Sequence, residues 1–147
     1  MTWLYLDANP GPVNERLLLS LYVAVGSAIG GVARWVIGNW IQLRTGAGFP
    51  FGTLAVNATG ALLLGVIVRL AIGMQSLAPE MRLLLTTGFC GGYTTFSTFS
   101  YETAVLLEQG EYGRATTYVL ASVFASLLAM FLGFMIARAL LVSRGRA

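Results

Sequence analysis

Residues 88–102 read Gly88-Phe89-Cys90-Gly91-Gly92-Tyr93-Thr94-Thr95-Phe96-Ser97-Thr98-Phe99-Ser100-Tyr101-Glu102, and they close a run, 83–101, that carries no charge. A run of that length matches the roughly 20 apolar helical residues that cross a bilayer core. Its polarity is unusual for such a span, because five hydroxyl residues fall within 94–100 behind a double glycine. A glycine weakens a helix interior by about 1 kcal/mol relative to alanine, and Gly92 is the midpoint of the run. The pattern predicts a helix broken at Gly91-Gly92 near the bilayer midplane. Carbonyls freed there need protein, water or an ion as partner. The competing reading is close helix packing, for which Gly88 and Gly92 form a small-xxx-small pair. Packing accounts for the glycines but not for the hydroxyl cluster.

Outward from this stretch, residues 17–33, 45–68 and 115–137 are also free of charge. All four prolines (Pro10, Pro12, Pro50, Pro79) lie outside the four windows, as helix interiors require. In the 147-residue chain, hydrophobic residues are 56% and charged residues 10%, against about 25% charged in an ordinary soluble domain. The expected fold is an all-α integral membrane protein with four transmembrane helices near 17–41, 51–73, 82–107 and 114–140. Residues 1–16 read as an exposed tail and not a signal peptide, since they hold Asp7, Glu15, Arg16 and two prolines. Residues 17–141 form one four-helix domain, and 142–147 a short basic tail.

All cationic charge is arginine. Scattered singly, these side chains suit lipid headgroups better than a nucleic-acid surface, which needs a clustered patch. With four spans, one side holds Arg16, Arg69, Arg82, Arg138, Arg144 and Arg146, and the other holds Arg34, Arg44 and Arg114. The excess leans towards cytoplasmic termini. Lysine and histidine are absent, Asp7 is the sole aspartate and Cys90 the sole cysteine. A nucleophile would lack its usual base, and no Cys/His set offers transition-metal ligands. An enzyme is not expected. Proton-coupled exchange normally uses a titratable group inside the membrane, and only Glu102, at the edge of the third window, is a candidate.

The remaining polar residues at membrane depth define a candidate passage. Phe96 and Phe99 are three apart and share a helical face; ring edges carry partial positive charge and can face a small anion. Asn57, about 9 Å along its helix from Phe51, is either helix–helix glue or part of a permeation route, and Thr53 extends its face. Tyr118, Ser122 and Ser126 recur every fourth residue, although a serine can also satisfy itself on its own backbone. Arg34, beside Trp35, reads as an interfacial anchor or as a vestibule residue that attracts anions.

Together, Gly52-Thr53-Leu54-Ala55-Val56-Asn57-Ala58-Thr59-Gly60, the 88–102 stretch and Gly30-Gly31-Val32-Ala33-Arg34-Trp35 resemble the Fluc/CrcB fluoride channels, over about residues 20–140. The resemblance implies an antiparallel, dual-topology homodimer in the cell membrane with two pores. It implies passive, fluoride-selective conduction that exports cytoplasmic fluoride and protects against its toxicity. Phe96 and Phe99 then match the fluoride-facing aromatics, Asn57 the pore asparagine, and Tyr118, Ser122 and Ser126 the polar track. The backbone carbonyls of Gly91 and Thr94 match the ligands of a structural sodium ion at the dimer interface. Two other readings compete: a small four-helix multidrug-type exchanger, which needs an embedded acid that residues 17–41 lack, and a non-conducting membrane scaffold.

Overall fold

A computed structural model of the chain describes residues 12–73 and 77–143. Helix α1 spans Val13–Thr45, α2 Phe51–Gly73, α3 Pro79–Leu83, α4 Gly91–Tyr93, α5 Phe96–Glu108 and α6 Tyr112–Ser143. A π-helical stretch, Leu84–Cys90, joins α3 to α4. Among the described residues, α1, α2 and α6 are long and apolar enough to cross a membrane. The third expected pass is assembled from pieces, the longest being the 13 residues of α5. The ends also differ from expectation: Val13–Arg16 belong to α1, not to a tail, and α6 continues to Ser143. Pro12 caps α1, and residues 1–11 and 144–147 of the expected tails lie outside the described residues.

Glycines set the helix crossings. A Cβ on Gly92 would stand 2.5 Å from the Ser27 carbonyl oxygen, and one on Gly26 or Gly30 would stand 2.8 Å from the Phe89 or Tyr93 nitrogen. Backbone therefore lies on backbone, with α1 and the third pass advancing in the same direction. Gly65 meets Met130 and Gly133, and Gly73 meets Leu141, so α2 and α6 are likewise parallel. Gly38 lies against Gly52 and Gly60 against Tyr93 and Thr94, which makes α2 antiparallel to α1 and to the third pass. The chain thus passes up, down, up, down.

The α1–α2 loop is stapled by one side chain. Gln42 Nε2 donates to the carbonyls of Gly46 and Phe49 (3.1 Å for the latter), and Gly52 N–H donates to Gln42 Oε1 at 3.0 Å. At that end Leu106, Ala115 and Tyr118 form a small core with Phe49, Leu54 and Phe99. The turn beneath it uses Gly110 at φ 75°, a conformation that glycine adopts at no steric cost. Elsewhere the surface is apolar: Leu21, Val32, Trp35, Phe124, Leu128 and Phe131 are all exposed, as suits side chains that meet lipid.

The break is not at the double glycine. Gly91 and Gly92 are helical, and the chain leaves the helix at Thr94 (φ −87°, ψ 159°) and Thr95 (φ −149°, ψ 118°). Gly88 and Gly92 serve the packing against Gly26 and Ser27. The close-packing reading accounts for these two glycines, while the interruption belongs to the first two residues of the hydroxyl cluster.

Candidate functional site

The interruption at Thr94–Thr95 organises the site. Extended backbone takes Thr95 out of the helical ladder, and α2 supplies the missing partners. Asn57 Nδ2 donates to the Thr95 carbonyl at 3.0 Å, and Thr95 N–H donates to Asn57 Oδ1 at 2.7 Å. A side-chain amide has the shape of a peptide group, so this pair satisfies both backbone groups as a neighbouring strand would. Thr95 then caps α5: its Oγ1 accepts from Thr98 N–H at 3.1 Å and donates to Thr98 Oγ1 at 2.9 Å. The Thr95 cap and the positive end of the α5 dipole thus lie beside Asn57.

Two cavities flank this junction. The first, about 440 Å³, is lined by Asn57, Thr94, Thr95, Phe96, Phe99, Ser122 and Ser126, with apolar residues of α2 and α6 completing the wall. Ser122 is buried, and among the described residues its Oγ has no hydrogen-bond partner. The Phe96 and Phe99 rings lie 5.5 Å apart, tilted at 43°. Phe96 is 79% exposed, so it projects from the surface of the chain at the edge of a largely apolar cavity.

The second cavity, about 280 Å³, is lined by Arg34, Asn39, Gln42, Thr53, Thr98 and Glu102 among others, and shares Thr95 with the first. Here Arg34 NH1 donates to the Thr94 carbonyl at 3.3 Å. Arg34 lies eleven residues before the end of α1, not near it, and its guanidinium turns towards the break. Beside Trp40 it is Arg44 that stacks, its guanidinium carbon 4.4 Å from the ring centroid.

Glu102, in the wall of the second cavity, joins three helices. Its Oε1 accepts from Thr53 Oγ1 at 2.8 Å and its Oε2 from the Tyr118 hydroxyl at 2.6 Å. Tyr118 is fully buried, with its ring 5.2 Å from Phe99 and 5.5 Å from Phe49. The residues singled out from the sequence are therefore divided. Asn57, Phe96, Phe99, Ser122 and Ser126 share one cavity, Thr53 and Arg34 line the other, and Tyr118 braces Glu102. Gly91 lies outside both cavities. Sequence reasoning did not place Glu102 or Thr95 in the site. The available signals were matched four-residue spacings, Thr53 to Asn57 on α2 and Thr98 to Glu102 on α5, and a threonine at an N-cap.

The chain is similar to known proteins over most of its length. The family described as CrcB-like protein, Camphor Resistance (CrcB), matches residues 21–134. A Thermus thermophilus protein named fluoride-specific ion channel FluC is 48% identical over 126 residues, 86% of this chain and 96% of the relative. Proteins of the same name from Geobacter metallireducens and Geobacter sulfurreducens are 46% and 49% identical, over 83% and 82% of this chain and 98% and 97% of theirs. With three helices able to span a bilayer and a family match over residues 21–134, this multi-pass membrane protein belongs to the CrcB family.

Proposed function

We propose that the protein is a passive, fluoride-selective channel that exports cytoplasmic fluoride and so limits its toxicity, working as an antiparallel homodimer with two pores. The names of its relatives support fluoride as the ion. The observation that carries the route is Phe96, which is 79% exposed beside a cavity lined by Asn57, Phe99, Ser122 and Ser126. A second copy covering that face would close the cavity into a narrow passage. Its lining then offers ring edges, an amide and hydroxyls, which can replace water around a small anion without a fixed charge that would trap it. Arg34 and the start of α5 bias the approach towards anions.

Dual insertion gives the two-fold axis of such a dimer a place in the membrane plane, and residues near the break at midplane depth can meet their own copies there. A structural sodium ion held by the Gly91 and Thr94 carbonyls suits that position, because a hard cation takes oxygen ligands. Gly91 is exposed, and a Cβ there would meet only the Thr86 carbonyl oxygen, at 3.9 Å. The Thr94 carbonyl accepts one long bond from Arg34 and retains a lone pair. When bound, the ion would tie the two breaks together.

Fluoride and chloride efflux from liposomes containing the purified protein tests the proposal. Rapid fluoride loss without chloride loss, independent of a proton gradient, is the expected result. Equal rates for the two ions would remove selectivity. Flux that requires a proton gradient would favour an exchanger built on Glu102.

A further inference from the structure

A third cavity, about 390 Å³, lies far from the break and is lined by Val68, Arg69, Ile72, Phe131, Phe134, Met135 and Arg138. Both arginines are near helix ends, Arg69 in the last turns of α2 and Arg138 in those of α6. Their situation differs from that of the other described arginines. Arg34 and Arg82 donate to the carbonyls of Thr94 and Ala71, Arg44 lies over Trp40, Arg114 pairs with Glu111, and Arg16 is also engaged. Among the described residues, only these two arginines, Arg69 and Arg138, make neither a hydrogen bond, an ion pair nor a ring contact. Two unpaired guanidiniums at one cavity repel each other unless an anion joins them.

The rest of the cavity says what kind of anion. Between the arginines and the membrane interior the wall is hydrocarbon, with Phe131 and Phe134 edge to face at 6.1 Å. A guanidinium matches the geometry of phosphate oxygens, and an apolar floor on the bilayer side suits an acyl chain. α2 and α6 run in parallel, so both arginines fall at the same end, where headgroups lie. We infer that the Arg69–Arg138 cavity is a binding site for an anionic phospholipid, the phosphate between the two guanidiniums and an acyl chain along Phe131, Phe134 and Met135. It holds whether or not the protein conducts fluoride.

Native mass spectrometry of the full chain, released from micelles containing phosphatidylglycerol or phosphatidylcholine, tests it. Wild type should retain phosphatidylglycerol and not phosphatidylcholine. Arg69→Gln and Arg138→Gln should each weaken retention roughly fivefold, from the contribution of one arginine near an anionic surface, and the double variant by more. Arg114→Gln removes the same charge at the opposite end and should leave retention unchanged. Inorganic phosphate should not displace the lipid. Equal retention by the double variant, equal retention of phosphatidylcholine, or displacement by inorganic phosphate would each overturn the proposal. So would loss of the dimer on mutation with lipid retention intact, since the arginines would then serve a second copy.

Discussion

Asn57 combines a structural role with a place in the wall of the cavity. It could be read either as helix–helix glue or as part of a route, and its geometry supplies the first role while leaving it in the wall of the cavity. Replacing it with leucine strands the Thr95 N–H and carbonyl. Each unpaired buried polar group costs about 1–3 kcal/mol, so Asn57→Leu should clearly lower the unfolding midpoint of the detergent-solubilised protein and stop fluoride flux. A variant as stable as wild type would show that water, not Asn57, satisfies the break. Glu102 carries the complementary lesson. As one carboxylate at the edge of a window it looked peripheral, because sequence places it by its distance from other charges. Its importance comes from Thr53 and Tyr118, which lie 49 and 16 residues away in the chain and are brought to it by the fold.

Among the elements, α1, α2 and α6 were legible because a membrane span needs only a long run without charge, and the absence of charge can be counted. The third pass was legible as a span but not in its internal form. A double glycine weakens a helix wherever it sits, yet here Gly92 is held helical by its contact with Ser27, and the interruption falls where Thr95 can cap α5 and reach Asn57. Tertiary partners decided between two weak points that local propensity does not rank. Gly92→Ala should accordingly destabilise the protein by about 1–3 kcal/mol, the usual cost of overpacking, because the Ser27 backbone cannot yield as a side chain would. Gly31→Ala, with nothing within 4 Å of the new Cβ, should be neutral in the same unfolding measurement. Similar losses from the two substitutions would mean that α1 does not pack on the third pass as described.

At the scale of the whole molecule, scarcity of charge has two consequences. It marks the chain as a membrane protein, and it leaves a cavity whose polar lining is amide and hydroxyl beside aromatic rings, with no charged side chain. The proposed dimer has no signature in the spans themselves; what motivates it is the exposed Phe96 beside its cavity, which leaves one face of the chain unfinished. The arginines pull the other way, since six against three favours one orientation while an antiparallel pair needs both. Reporters fused to the C-terminus should be active on each side of the membrane; activity on one side alone would exclude the antiparallel arrangement. The central claim, that fluoride crosses beside the paired rings, is tested most directly by the initial rate of fluoride efflux from liposomes carrying Phe96→Ile. Because Phe96 projects from the protomer, the variant should fold and dimerise normally while its efflux falls to the level of empty liposomes. Efflux at the wild-type rate from an intact dimer would contradict the account.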